Sequence, residues 1–560
     1  MKEKVLIYQV FTRLYGNRNV NRRENGTLAE NGCGKMADLT PKVLKDIASM
    51  GISHVWYTGI IRHATQTDYS AYGIPRQHPA VVKGRAGSPY AITDYYDVDP
   101  DLAVDVKHRM QEFEQLLART HEAGLKVIID FVPNHVARQY KSVCKPRRVK
   151  DLGETDDTMR GFDLQNNFYY CPGQRFDPYF DLYQGELEPY MEVPAKATGN
   201  DHFDNAPGKN DWYETVKLNY GVDYYAGGSP STFHLSQTGR NELPDTWYKM
   251  TDILLFWAKK GVDGFRCDMA EMVPAEFWAY AIAVVKKKNP KTVFVGEVYN
   301  PSEYRHYLSS GFDWLYDKVG MYDTMRAVIC HHALSSAITQ AWQQTDDIRQ
   351  HMLYFLENHD EQRIASDFFA ADGAKGVPGM IASVLMGQNP FMLYAGEEYG
   401  ERGMDREGFS GNDGRTTIFD YWSIDTLCRA AQDKLTVEEQ QLYDLHKKTM
   451  LLARKEPAIT DGVFFDLMYV NPHLERQYAF LRHVKGELLL VVVNFEERDV
   501  VVDVNIPAHA FDYLGLKETK TIATDLLTKQ RLAISLRRDG GVRMEIKARN
   551  GRVWKIGIKG

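Results

Sequence analysis

The sequence lacks several features that would point to a particular class of protein. It has six cysteines in 560 residues, and they are scattered with no CxxC pair. Its net charge of −7 is small for this length, which argues against a nucleic-acid or anionic-membrane partner, since both favour basic clusters. It has no low-complexity tract, no clear repeat and no uninterrupted apolar run long enough to span a bilayer. These absences favour an ordinary globular protein with no membrane partner.

The amino terminus, MKEKVLIYQVFTRLYG, begins like a secretory signal but is interrupted by polar residues. Gln9, Thr12 and Arg13 break the apolar run, and no small-residue cleavage site follows. We therefore interpret residues 5–11 as a first core strand. Without an export signal, we expect a cytoplasmic protein with reduced thiols.

Most of the chain alternates β-type runs with segments of helical periodicity. Trp247, Met250 and Trp257 fall at helical spacing, for example, and Gly261 then separates them from another β-type run. Repeated units of this kind build a parallel sheet, and their number predicts an α/β fold with a closed (β/α)8 TIM barrel. The predicted strands are residues 5–10, 53–58, 126–131, 262–266, 292–296, 352–356 and 390–394.

Two regions depart from this alternation. Residues 138–218 are rich in Tyr, Phe, Pro and Gly and too long for a bare loop, so we predict an inserted domain B after the third strand. Near residue 456 the sequence changes to β-type runs joined by turn-like segments, which is typical of antiparallel β-structure. We therefore assign residues 1–137 and 219–455 to the barrel and residues 456–560 to a C-terminal β-sandwich.

Four blocks of sequence place a carboxylate after a predicted strand. They are DFVPNH (130–135), GFRCD (264–268), VGE (295–297) and ENHD (357–360). Because the carboxyl ends of barrel strands meet on one face, we expect Asp130, Asp268, Glu297 and Asp360 to surround one pocket. A single acid after a strand is more often a helix N-cap or a salt-bridge partner, but its recurrence in four ordered blocks favours a site.

The residues beside these acids suit catalysis on sugars. Arg266 lies two positions before Asp268, on the same face of a strand, where a guanidinium would orient the carboxylate. His135 and His359 are expected to be neutral donors beside the acids. Several acids in one pocket are typical of glycoside chemistry, in which one carboxylate attacks the anomeric carbon and another protonates the leaving oxygen.

The four blocks, in this order, resemble the conserved regions of the α-amylase superfamily, glycoside hydrolase family 13. The resemblance covers residues 5–455 and extends to KLN at 217–219 and YAGEE at 394–398. It implies that Asp268 is the nucleophile, Glu297 the acid/base and Asp360 the transition-state stabiliser. The candidate substrate-binding residues are Tyr90, Asp130, His135, Arg266 and His359.

The resemblance implies a retaining enzyme that cleaves α-glucosidic bonds, with α-1,4 bonds foremost. Retention implies that the carboxyl groups of Asp268 and Glu297 lie ~5–5.5 Å apart. Glu271 and Met272 stand where many endo-acting α-amylases carry Lys-His, which favours maltooligosaccharides as substrates. The alternative is transglycosylation on the same site, as in a glucanotransferase or isomerase. A non-catalytic amylase-like scaffold is a third hypothesis, which the presence of all three catalytic acids disfavours.

No cofactor is required for this chemistry, but the resemblance leaves room for a structural calcium ion. Asn134 matches a position that often binds Ca²⁺ between the barrel and the inserted domain, and a purely hydrogen-bonding role for Asn134 is an equal alternative. The Asn-rich segment 16–21 carries arginines in place of the acids that calcium loops use. We interpret the aromatic residues of the inserted segment mainly as the core of that domain.

Overall fold

The centre of the protein is a closed barrel of eight parallel strands, which confirms the predicted fold class. The structure is a computed structural model that describes residues 3–185, 187–238, 242–403 and 411–558. Each barrel strand pairs with the next along the chain, and the last closes on the first. In chain order the strands are β1 (Leu6–Phe11), β2 (His54–Thr58), β3 (Lys126–Phe131), β4 (Gly264–Cys267), β5 (Val293–Gly296), β6 (Trp314–Tyr316), β7 (Met352–Phe355) and β8 (Phe391–Tyr394).

Strand β6 is the one barrel strand that the sequence did not predict. It has three residues and lies between Asp313 and Asp317, so its apolar run is too short to stand out. The longer strands were recognisable because both of their faces are buried, as in β3, where every residue after Lys126 is buried.

Helices follow the strands and cover the outside of the barrel. Their ends carry ordinary signals: Thr40 accepts a hydrogen bond from the Val43 N–H at the start of the helix Pro41–Ser49, and Gly261 ends the helix Asp245–Lys260 with a φ of 105°. The α-helices are α1 (Thr12–Tyr15), α2 (Leu28–Asn31), α3 (Pro41–Ser49), α4 (Arg109–Glu122), α5 (Asp245–Lys260), α6 (Ala275–Lys288), α7 (Tyr304–Ser309), α8 (Asp323–Ile329), α9 (Ala337–Gln344), α10 (Val377–Leu385), α11 (Asp425–Ala431), α12 (Val437–Lys455), α13 (Pro457–Thr460) and α14 (Ala508–Leu514). In the part of the chain that the structure describes, no helix combines the length and apolar character needed to cross a membrane.

The segment between β3 and β4 has little regular structure. Two pairs of very short antiparallel strands hold it: His135–Ala137 with Thr215–Lys217, and Tyr170–Cys171 with Ala195–Lys196. A small apolar cluster that includes Phe176 packs this segment against Val81, which precedes β3 in the chain. The first strand pair joins this segment directly to the end of β3.

The C-terminal region forms antiparallel sheets that pack beside the barrel helices. The strands are β9 (Val463–Asp466), β10 (Gln477–Val484), β11 (Glu487–Asn494), β12 (Val500–Ile506), β13 (Thr519–Asp525), β14 (Arg531–Leu536), β15 (Gly540–Ile546) and β16 (Asn550–Gly557). Six of them form one sheet in the order β9-β10-β11-β16-β13-β14, and β12 pairs with β15. This region shares the large apolar core of the barrel, and none of the predicted site residues lies in it.

Candidate active site

The strand ends bring the predicted acids together on one face of the barrel. In register, Arg266 of β4 lies beside Asp130 of β3, and Cys267 lies beside Gly296 of β5. Asp268 and Glu297 follow immediately after these strands, and both are buried. Residues from separate parts of the chain therefore converge because parallel strands end at the same level.

One guanidinium group organises these acids. Arg266 Nη1 lies 2.6 Å from Asp268 Oδ1 and 3.9 Å from Asp130 Oδ1. Its Nη2 lies 2.8 Å from Glu297 Oε2 and 4.0 Å from Asp360 Oδ2. The arginine is only 1% exposed, so its charge acts on the acids with little screening by solvent. The structure thus brings all four predicted acids together around the predicted arginine.

Tyr90 and His359 form a second group beside the acids. Their rings stack with centroids 5.3 Å apart and an interplanar angle of 28°. His359 Nε2 lies 3.0 Å from Asp360 Oδ2, and its Nδ1 lies 2.8 Å from Gln9 Nε2. The Tyr90 hydroxyl donates to Asp130 Oδ1 at 3.5 Å. The imidazole is therefore held from both sides, which fixes its orientation toward Asp360.

The carboxyl groups of the pocket differ in how readily they hold a proton. Burial raises the pKa of Asp268, and the nearby Glu297 and Asp360 raise it further against the opposing charge of Arg266. Burial would also raise the pKa of Asp360, but His359 and Arg266 lower it to about 2. Asp360 is therefore a fixed anion at neutral pH, whereas Asp268 holds its proton more readily than an exposed aspartate does.

A cavity of about 210 Å³ opens onto these acids. His135 lines it from the end of β3, with its ring centroid 5.3 Å from that of Trp212. Burial, together with Lys217 and Lys83, lowers the pKa of His135 to about 3, so its ring is neutral at physiological pH. The cavity is lined by Lys83, Ser88, Tyr90, His135, Trp212, Glu214, Thr215, Asp268, Met269, Glu297, Tyr299, Asp360, Ile418 and Phe419. Asp130, Arg266 and His359 stand behind this wall and contact the residues that form it.

Sequence reasoning missed Tyr299 and the carboxylate that positions it. The Tyr299 hydroxyl donates to Glu297 Oε1 at 2.8 Å, and the Met269 N–H donates to Glu297 Oε2 at 2.8 Å. Glu271, noted in the sequence only as a departure from Lys-His, accepts hydrogen bonds from the Tyr299 and Asn300 N–H groups. The spacing of Tyr299, two residues after a strand-end acid, was the available signal.

Asn134, the candidate calcium ligand, has a protein cation beside it. Its side-chain oxygen lies 2.5 Å from Lys217 Nζ, and its amide nitrogen donates to the Gly199 carbonyl at 2.7 Å. Lys217 Nζ also lies 2.6 Å from Asp201 Oδ1 and 3.5 Å from the Met272 carbonyl oxygen. Calcium would need six to eight oxygen ligands at ~2.3–2.6 Å, and here an ammonium group occupies the space between the oxygens. The residues as placed do not fit a calcium ion.

A closed parallel barrel whose strand ends gather several acids around a small cavity has the arrangement that glycoside hydrolysis requires. Comparison with known proteins agrees with this class. Residues 9–444 match the alpha-amylase catalytic domain, and the chain belongs to that family of glycoside hydrolases.

The relatives and structural neighbours of this chain include proteins named as alpha-amylases and a cyclomaltodextrinase. The chain is 24% identical over 459 residues to Alpha-amylase 3 of Dictyoglomus thermophilum, which covers 77% of this chain and 79% of that protein. It is 23% identical over 452 residues to a cyclomaltodextrinase of Thermoanaerobacter pseudethanolicus, covering 77% of this chain and 62% of that protein. The fold is similar to that of a maltogenic alpha-amylase from Thermotoga neapolitana, with a TM-score of 0.64, 18% identity and 99% of each chain covered.

Proposed function

We propose that this enzyme hydrolyses α-glucosidic bonds, chiefly α-1,4, in maltooligosaccharides with retention of configuration. The observation that carries the proposal is the contact of one buried guanidinium with both Asp268 and Glu297, at 2.6 and 2.8 Å, with Asp360 4.0 Å away. The shared guanidinium keeps the first two carboxyl groups close together, which supports the short separation that retaining chemistry requires. Relatives named as an alpha-amylase and a cyclomaltodextrinase support α-glucans as the substrate class.

In the first step, the Asp268 carboxylate attacks the anomeric carbon while Glu297 donates its proton to the leaving glycosidic oxygen. The C–O bond of the substrate breaks and a glycosyl ester forms on Asp268. In the second step, Glu297 takes a proton from water, and the resulting hydroxide displaces Asp268 from the anomeric carbon. Both transition states carry positive charge on the sugar ring, which the fixed negative charge of Asp360 stabilises.

The remaining predicted residues would bind and orient the sugar at the cleavage point. Tyr90 and His135 present an aromatic face and a neutral imidazole to the cavity, and His359 and Asp130 hold Tyr90 in place. The cavity volume of about 210 Å³ is on the scale of one sugar ring, with Trp212 and Phe419 forming part of its wall. This size is sufficient for the glucose unit at the point of cleavage.

The test is a product profile of the purified protein with maltoheptaose, with Asp268→Asn as the control. We expect only shorter sugars, and NMR of the first products should show the α-anomer, which then mutarotates. A β-anomer as first product would overturn retention. Products longer than maltoheptaose would show that a sugar hydroxyl replaces water in the second step, which is the transglycosylation alternative.

A further inference from the structure

We infer that the ammonium group of Lys217 takes the place of a metal ion at the junction between the inserted segment and the barrel, and that it thereby positions His135. The inference concerns the architecture around the cavity and does not rest on the identity of the substrate. It arises from the three oxygen atoms that surround Lys217 Nζ and from where in the chain they originate.

The three oxygens come from three separate parts of the molecule. Asn134 follows β3, Asp201 lies in the inserted segment, and Met272 lies in the turn after β4. Their oxygens are an amide, a carboxylate and a backbone carbonyl, which is a donor set that hard cations such as Ca²⁺ also use. An ammonium group has three N–H bonds, so these three acceptors match its donors in number.

The fold holds the residues around the Lys217 ammonium group in place. Lys217 and Asn134 are 2% and 0% exposed, so neither is a surface residue that meets the other by chance. Asp201 adopts a left-handed conformation with a φ of 64°, which is uncommon for a residue with a side chain. The Lys217 ammonium also lies 5.4 Å from the centre of the Tyr224 ring, a further contact that suits a cation.

The same junction fixes His135 on the cavity wall. His135 is the register partner of Lys217 in the strand pair, and its Nδ1 lies 3.1 Å from Asn134 Nδ2. Gly199, whose carbonyl accepts from Asn134, packs so closely that a Cβ there would lie 2.8 Å from the His135 Cβ. Lys217 is therefore a positioning residue, which acts on the sugar pocket through Asn134 and His135.

A metal that holds such a junction can be removed by a chelator, whereas a lysine side chain cannot. We therefore expect EDTA and millimolar calcium to leave the melting temperature of the intact protein unchanged, and we expect no calcium to remain bound after dialysis. A clear fall of Tm in EDTA, or one calcium ion retained per chain, would overturn the inference. This arm of the experiment needs no variant, so it can overturn the inference even if the variants fail to fold.

The second arm tests whether the oxygens form a cation site. Lys217→Ala should lower Tm by several degrees without metal, and calcium should restore a large part of that loss, because the vacated oxygens can then bind the ion. The double variant Lys217→Ala, Asp201→Asn lacks the carboxylate and should not respond to calcium. Lys217→Ala protein that is destabilised but insensitive to calcium would overturn the inference, since Lys217 would then be an ordinary buried ion pair.

Lys4→Ala is the matched control for this arm. Lys4 is equally buried, at 2% exposure, and its Nζ donates to the Gly387 carbonyl at 2.6 Å. No carboxylate pairs with Lys4 among the residues that the structure describes, so calcium should not raise the Tm of this variant. In the Lys217→Ala protein, calcium should also restore KM more than kcat, because His135 is expected to contact the bound sugar. An equal response to calcium in both lysine variants would mean a nonspecific effect of the ion and would overturn the assignment.

Discussion

Among the buried arginines that contact carboxylates, Arg62 and Arg266 lie in clusters that differ in charge balance. Arg62 lies 3.2 Å from Asp94 and 3.4 Å from Asp97, and Arg109 contacts Asp97 with two bonds of 2.8 Å. In that cluster two cations face two acids. Arg266, by contrast, faces four acids at distances of 2.6 to 4.0 Å.

In the balanced cluster, the carboxylates are paired with cations and with hydrogen-bond donors. Asp94 also accepts hydrogen bonds from the backbone N–H groups of Tyr96, Val143 and Cys144. Although Asp94, Asp97 and Cys144 lie close enough to share a metal ion, the two arginines already neutralise the carboxylates. The cluster at Arg266 instead keeps an excess of negative charge, which costs stability but favours positive charge on a bound sugar. The two clusters therefore differ in charge balance as well as in position, since only the one at Arg266 reaches the cavity.

The largest expected effect comes from Asp268→Asn, which removes the nucleophile from the unbalanced cluster. We expect kcat to fall by several orders of magnitude. Because burial raises the pKa of Asp268 in the folded protein, its contribution to stability is present at low pH and is lost as the pH rises through that pKa. Above the pKa that an aspartate has in the unfolded chain, burying this carboxyl group therefore costs stability, and Asn should leave Tm unchanged or raise it. Kinetics and calorimetry at pH 7 check both; near-normal kcat would remove Asp268 from its role.

The matching substitution in the balanced cluster, Asp97→Asn, should have the opposite profile. It leaves Arg62 and Arg109 short of a buried negative charge, and the free energy of unfolding should fall by about 3–5 kcal/mol. The kcat of the folded fraction should stay near that of the unsubstituted enzyme. A loss of kcat comparable to that of Asp268→Asn would show that the contrast between the two clusters is not one of function and structure.

A smaller effect is expected from Tyr299→Phe, which removes one hydrogen bond from Glu297. A hydrogen bond to a charged group contributes about 1.5–3 kcal/mol, so kcat should fall by roughly 10- to 150-fold, with KM little changed. Tyr307→Phe is the control, since the Tyr307 hydroxyl donates to the backbone carbonyls of Glu271 and Val273. If both variants lose kcat equally, the hydroxyl of Tyr299 acts through packing of the loop and not through Glu297.

The sequence could predict those site residues whose position is marked within one strand and the residue that follows it. Asp268 and Glu297 were recognisable because an acid follows an apolar run, and strand pairing then placed them side by side without further information. Lys217 was visible only as part of a short motif, because its partner Asn134 is 83 residues away and the segment between them has almost no regular structure. Contacts across such a segment depend on its folded path, which hydrophobic periodicity does not encode.

Tyr299 and β6 were missed for a related reason. Strand β6 has only three residues, and its pairing with β5 and β7 fixes its position. Closure of the barrel therefore determines this strand more than the β-propensity of its own residues does. Tyr299 lies just beyond the end of β5, where Glu271 from the neighbouring loop fixes the backbone through two hydrogen bonds. In both cases the position depends on a partner that is distant in sequence.

The junction at Lys217 also determines how the protein responds to its surroundings. A dissociable ion contributes a stabilisation that grows with the logarithm of its free concentration. The free energy of unfolding of the same chain would then differ from one medium to another. A cation attached through the chain itself is always present at one equivalent, so its contribution does not depend on the concentration of a free ion. The stability of the cavity wall that carries His135 therefore cannot be regulated through the supply of an ion.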